Sequence, residues 1–278
     1  MLVGLPQSMA SRAAIDAAAD LAEFLHIELL ATFIADPTLQ GLARFPTLRE
    51  LRALDQGWQA IDAVQIAREI DHITDIARRR FAETARSRSI KTGFDVVTGA
   101  EMVASLIRAD DIVAIIEPTH PGERITRQFT GVLDAALTSA AAILVVPRQI
   151  LRTTGPVLAM ATGPEDLSIW VALEIAAALK ERLIIATRPG ALLPPELISD
   201  AGQIGVQLEQ MFTSGTPAEV PALVPSLARS KERLRVIGRN QLSVDSTHLF
   251  SNLRGIPLLA VGLDRTRSAK QQENRQLH

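Results

Sequence analysis

A phosphate-binding turn needs backbone N–H groups at a helix start, and glycine where the chain must come close to the anion. Two stretches of this sequence have that make-up. One is Thr162-Gly163; the other is Gly238-Arg239-Asn240, with Ser246 eight residues beyond the glycine. A small anion neutralised by Arg239 and held by nearby N–H groups is the chemistry they suggest. The same residues also read as a turn glycine beside a solvated arginine. A second constellation is Asp71, His72 and Asp75 on a helical stretch. A metal needs three or four ligands, and this face runs on into Arg78, Arg79 and Arg80. A charged outer stripe opposite Ile66, Ile70, Ile73 and Ala77 is therefore expected. Without interleaved aromatics the arginine run reads as a solvated face and not as a nucleic-acid surface. Ser8, Ser11 and the five histidines supply hydroxyls and bases. There is no Gly-x-Ser-x-Gly elbow, and no spacing ties a histidine to a serine. His26 follows a helix end, where it is expected to cap the last carbonyls. His120 sits in a loop, and His248 falls inside the last helix. The chain has no cysteine, which excludes a disulfide framework, a thiolate metal site and a cysteine nucleophile.

These residues are carried by a pattern that occurs twice. The chain has 278 residues, 47% hydrophobic and 22% charged, with a net charge of -2. That composition is globular and gives no chain-wide basic field. The first segment opens with a strand, Leu2–Leu5, and a helix whose Ala14, Ile15, Ala18, Leu21, Ala22 and Leu25 recur at helical spacing. A strand follows from Ile27 to Phe33. The second segment opens with Val157–Ala161 and a turn at Thr162-Gly163-Pro164. Its helix is striped by Ile169, Ala172, Leu173, Ala176 and Leu179, and the strand Leu183–Thr187 follows. Leu29-Leu30-Ala31-Thr32 matches Ile184-Ile185-Ala186-Thr187. The first segment continues with a helix from about Asp62 to Arg86, a strand near Phe94–Val97, a helix Glu101–Arg108, a strand Asp111–Ile116, a helix from Ile125 to Ser139 and a closing strand Ile143–Val146. The second continues with a helix Glu196–Ala201, a strand Val206–Phe212, a helix Ala218–Leu227, a strand Leu234–Ile237, a helix Val244–Leu253 and a closing strand Pro257–Val261. Strands alternating with helices imply a parallel α/β sheet with right-handed crossovers. A nearly unbroken apolar strand such as Ile27 to Phe33 suits a parallel sheet covered on both faces.

This order of elements, together with Thr130 and the ending Ile143-Leu144-Val145-Val146 before Pro147, resembles the universal stress protein family in its tandem form. The resemblance covers nearly all of residues 1–263. It implies two tandem five-stranded parallel-sheet domains of the adenine-nucleotide-binding, Rossmann-like type, packed as a pseudo-dimer. The divisions expected are 1–147 with an insertion at 35–61, a linker at 148–155, a second domain at 156–264 and a polar basic tail at 265–278. Many members bind ATP and many do not. The family's phosphate pattern is Gly, two residues, Gly, nine residues, Gly, then Ser or Thr, with an Asp at the end of the first strand. In the first half Thr130 fits the hydroxyl place, but the glycine places hold Ile116, Thr119 and Phe129, Pro118 and Pro121 remove two donors, and Pro6 stands for the Asp. In the second half Gly238 fits the first glycine, Gln241 stands at the second, Thr162 stands for the Asp, and the loop to Ser246 is too short.

The expected function is accordingly non-enzymatic, with no cofactor, acting through protein–protein contacts or a small ligand. The alternative is a sensor binding AMP, ATP or a small anion at Thr162, Gly163, Gly238, Arg239, Asn240 and Ser246. A homodimer is expected, with no nucleic-acid or membrane partner, in the cytoplasm, since no leader or 20-residue apolar span is visible. In the insertion, Leu48, Leu51, Leu54 and Trp58 recur at helical spacing after Phe45-Pro46-Thr47. They are expected to form a helix that buries Leu51 and Trp58, as a lid, a dimer contact or a packed extra element. The tail carries Arg265, Arg267, Lys270 and Arg275 against Glu273 and is expected to be a solvated end.

Overall fold

The computed structural model describes residues 1–6, 12–24, 26–35, 41, 49–51, 57–60, 62–88, 90–117, 127–147, 150–213, 230–242 and 255–262. Ten strands form one sheet. In the first half they are β1 (Leu2–Pro6), β2 (Leu29–Ala35), β5 (Thr92–Thr98), β6 (Ile112–Ile116) and β7 (Ala142–Val146). In the second they are β8 (Val157–Met160), β9 (Leu183–Thr187), β10 (Leu208–Phe212), β11 (Leu234–Gly238) and β12 (Leu258–Val261). The spatial order is β10-β9-β8-β11-β12-β7-β6-β1-β2-β5. Each half therefore lays its strands in the order third, second, first, fourth, fifth. Within this sheet, all ladders inside a half are parallel. This is an open α/β sheet of the Rossmann-like kind.

The two closing strands meet edge to edge and antiparallel, pairing Leu258 with Val145, Leu259 with Leu144, Ala260 with Ile143 and Val261 with Ala142. All eight residues are buried, none above 7% exposure. The register carries both cores across the seam. Ala142, Leu144, Leu259 and Val261 belong to the core on one face, and Ile143, Val145, Leu258 and Ala260 to the core on the other. A slip of one residue would interchange these faces.

Among the described residues, helices lie on both faces. On one lie α1 (Arg12–Phe24), α2 (Ala63–Arg88), α5 (Leu167–Leu179) and α6 (Pro195–Ile204). On the other lie α3 (Ala100–Leu106) and α4 (Arg127–Ser139). The expected stripe of α1 is buried at Ile15, Ala18, Leu21 and Ala22. Helices α1 and α5 end alike. His26 (φ 53°) and Lys180 (φ 54°) take the left-handed conformation, and paired backbone bonds close the last turn. His26 thus ends its helix through its backbone N–H to Glu23, 3.1 Å, a Schellman arrangement.

Some expectations change. Helix α5 begins after Asp166, whose carboxylate accepts from Ser168 N at 3.0 Å; Pro164 lies in the turn before it. On α2 the buried line is Ile70, Thr74, Ala77, Phe81 and Ala85, while Ile73 is 37% exposed. At residues 49–51 and 58–60 the insertion is not helical: β3 (Arg49–Leu51) and β4 (Trp58–Ala60) form an antiparallel pair with Leu51 opposite Trp58. Trp58 is 65% exposed, against the expected burial. Gly57 sits within the supposed helix, at a cost of about 1 kcal/mol there, and two residues opposite each other across a ladder meet just as well as two on one helical face. The expected helices at 218–227 and 244–253, the loop at 118–126 with His120, the residues Ser8, Ser11, Ser246 and His248, and the tail lie outside the described residues. Among the described residues no helix is long and apolar enough to cross a membrane.

The shared ladder is expected to couple the two halves into one cooperative unit. Replacing Ile143, fully buried at the seam, by alanine should cost about 2–5 kcal/mol. Denaturant unfolding followed by far-ultraviolet dichroism and by tryptophan fluorescence should give midpoints that coincide before and after the substitution. Two separated transitions would contradict the coupling.

Candidate functional site

In open α/β sheets ligands bind outside the carboxyl ends of strands, where the strand order reverses. The reversals here fall between β1 and β6 and between β8 and β11. The second crevice gathers most of the sequence-derived candidates. Thr162 and Gly163 follow β8, and Gly238 ends β11. Arg239, Asn240 and Gln241 form a single 3-10 turn after it.

The side chain at the centre of this crevice is Asp166. Its Oδ2 accepts from the Thr162 backbone N–H at 3.0 Å and from the Thr162 hydroxyl at 2.9 Å. Gln241 Nε2 reaches the same oxygen at 3.2 Å and also donates to the Met160 carbonyl at 3.1 Å. Asp166 Oδ1 caps α5. One carboxylate therefore ties the ends of β8 and β11 to the start of α5. A helix N-terminus that would attract an anion already faces a negative charge from its own chain. The side-chain donors of Thr162 and Gln241 are already engaged; the buried side-chain atoms of this region that make no hydrogen bond among the described residues are an acceptor, Gln241 Oε1, and two groups that can donate, Ser168 Oγ and Arg239 Nε. Gly238 serves this packing: a Cβ there would lie 2.7 Å from Asn240 Oδ1 and 3.2 Å from Asp166 Oδ1. Around Gly163 there is open space.

Arg239 does not lie in solvent. It is 6% exposed, and its Nη2 donates to the carbonyl of Ala140 in the other half. Ala140 follows the last turn of α4, so the guanidinium meets the negative end of that helix dipole. Arg239 thus reaches from β11 past β12 to the first half. Asn240 is exposed, as is Thr162. The first crevice has a buried acid of its own: Glu117, directly after β6, is 2% exposed, and its N–H donates to Val146 O at 2.9 Å.

The other constellations resolve more simply. Asp71, His72 and Asp75 are exposed on α2, and Asp75 pairs with Arg78 at 3.0 Å. Arg78 also stacks over Phe94 at 5.1 Å. Among the described residues no group of three or more potential ligands is placed to hold a metal. Sequence reasoning did not single out Asp166 or Glu117 as crevice residues, and it placed Gln241 only where the phosphate pattern has its second glycine. Asp166 had a signal, an N-cap type directly before an apolar run. Glu117 had none, because burial at a strand end is set by tertiary packing.

No protein-family model matches the chain, and no curated protein does. Solved structures are similar over 94% of it. They include a universal stress protein from Archaeoglobus fulgidus DSM 4304, at 13% identity over 95% of that chain with a TM-score of 0.61. A candidate universal stress protein from Pseudomonas aeruginosa UCBPP-PA14 has 14% identity, 91% coverage of that chain and a TM-score of 0.53. A protein of unknown function from Pseudomonas aeruginosa PAO1 has 14% identity, 92% coverage and a TM-score of 0.51. The fold is that of these proteins.

The network predicts a contrast between neighbouring substitutions. Asp166→Ala removes a helix cap and the acceptor shared by Thr162 and Gln241, and should cost about 2 kcal/mol. Asn240→Ala, on an exposed side chain, should stay within about 0.5 kcal/mol of the parent. Arg239→Ala should cost about 1.5–3 kcal/mol through the lost charged hydrogen bond. Chemical denaturation of the three variants checks all three values.

Proposed function

We propose that this chain is a non-enzymatic, cytoplasmic protein of the universal stress type whose nucleotide sites are degenerate. It acts in stress response as a pseudo-dimer of its two halves, through protein–protein contacts or a small ligand, and associates as a homodimer. The observation that carries this reading is the Asp166 carboxylate, bonded to Thr162, Ser168 and Gln241 where a nucleotide phosphate would need donors. Its negative charge opposes an anion, and its hydrogen bonds take up donors of Thr162 and Gln241. In the first half the phosphate glycines are replaced by Ile116, Thr119 and Phe129, and Glu117 adds a buried acid at the strand end. The likeness of fold to universal stress proteins supports the stress-type assignment.

A second reading is a small-anion or AMP sensor using Thr162, Gly163, Gly238, Arg239, Asn240 and Ser246. The open space at Gly163 and the exposure of Thr162 and Asn240 favour it. The burial of Arg239 weighs against it, since its guanidinium is directed to Ala140.

Isothermal titration with ATP distinguishes the readings. The first predicts no binding at micromolar concentration and no nucleotide in the mass spectrum of the dialysed native protein. Weak AMP or phosphate binding that disappears in Arg239→Ala would favour the second. Micromolar ATP binding, about -8 kcal/mol, that survives Arg239→Ala would contradict both.

A further inference from the structure

A cavity of about 210 Å³ lies between the two halves, away from both strand-end crevices. Its sides are α1 and α5, which flank the seam on one face of the sheet. Leu21 of α1, Ile175 and Leu179 of α5 and Leu144 of β7 give it an apolar lining. The connecting segment closes one end and brings Arg152 to the rim, and Arg233, just before β11, joins it there. Neither side chain has a hydrogen-bond or ion-pair partner among the described residues, and both are half-buried. Arg235, two residues on, is different: it is buried and engaged by Glu232 at 2.7 Å.

The rim also carries two acids, Asp16 and Asp20 of α1. These are matched within the first half. Arg88 of α2 donates to Asp20 at 2.8 Å and to Asp16 at 3.4 Å, and the Thr84 hydroxyl reaches Asp16 at 3.2 Å. At this rim the cations with no acceptor among the described residues are thus Arg152 and Arg233, beside an apolar cavity. A guanidinium recognises carboxylate or phosphate oxygens through charge-assisted hydrogen bonds, while an apolar chamber takes a hydrocarbon body.

We propose that the seam cavity is a binding site for an amphipathic organic anion, whose hydrocarbon portion lies against Leu21, Leu144, Ile175 and Leu179 and whose acidic group is held by Arg152 and Arg233. Occupancy requires both halves, because α1 comes from one and α5 and both arginines lie beyond the first. The site reports on the docked state of the two halves and is independent of any nucleotide at the strand ends.

The test is calorimetric titration of the full chain with sodium decanoate below its micellar concentration, with decan-1-ol and decylammonium as controls. Decanoate should bind at one site. The double variant Arg152→Ala/Arg233→Ala, on two side chains that bond to none of the described residues, should weaken decanoate at least about tenfold, close to the affinity of decan-1-ol. Decylammonium should bind at least about tenfold more weakly than decanoate. Leu179→Trp, which fills the cavity from a half-buried position, should abolish decanoate binding while melting as a folded protein. Absence of decanoate binding to the parent chain would overturn the proposal. So would decanoate affinity unchanged by the arginine double variant, or decylammonium binding as tightly as decanoate.

Discussion

The edge-to-edge ladder between β7 and β12 is the contact on which the rest of the molecule depends. Each half closes on a strand of purely apolar residues, Ala142–Val146 and Leu258–Val261. Left open, such an edge presents unpaired backbone groups and a sticky face. Pairing the two removes both edges at once and extends one core on each face of the sheet through the join. The outer edges are built differently. On β5 only Val97 is buried, and no residue of β10 is.

Several other features follow from that join. It brings the end of β11 close enough to α4 for Arg239 to reach Ala140, so a residue placed for an anion by sequence position becomes a strut between halves. It sets α1 and α5 on either side of Leu144 with a space between them. The connecting segment must then turn tightly. Gly155 takes φ 120°, and a Cβ there would stand 2.6 Å from the Lys231 carbonyl, so only glycine fits. Its N–H is held by Glu181 at 2.9 Å. Close by, Glu232 and Arg235 form a buried pair with Ser230 hydrogen-bonded to the acid, which fixes the approach to β11. Such a pair is strongly destabilising to break, because it leaves one charge unmatched in the interior.

Much of this architecture is legible in the sequence because strand signals here are strong. Continuous apolar runs in β6, β7, β9 and β12 and the shared Leu-Leu-Ala-Thr and Ile-Ile-Ala-Thr endings mark the sheet and its repetition, and Leu183–Thr187 has the bounds read from sequence. The insertion misled because Leu48, Leu51, Leu54 and Trp58 fit a helical period, while the structure pairs Leu51 and Trp58 across a short ladder. The crevice misled in another way. Gly238 carries the right residue type, but its missing side chain makes room for Asp166 and Asn240. Arg239 could not be placed at all from local sequence, since its partner lies 99 residues away. The seam cavity was equally hidden, as its walls come from segments that meet only after the sheet has formed.

The chemistry of the two kinds of site is opposite. The strand-end crevices hold buried or bonded acids, Asp166 in one and Glu117 in the other, whereas the seam offers guanidinium groups that have no acceptor among the described residues, beside hydrocarbon. All of this depends on the two closing strands behaving as one element. Native-state hydrogen exchange measures that most directly. The account predicts that backbone amides of Ala142–Val146 and Leu258–Val261 that are bonded across the seam exchange only with the global free energy of unfolding, at every denaturant concentration. Exchange of those amides through a lower-energy opening, with β6 and β11 still protected, would contradict it.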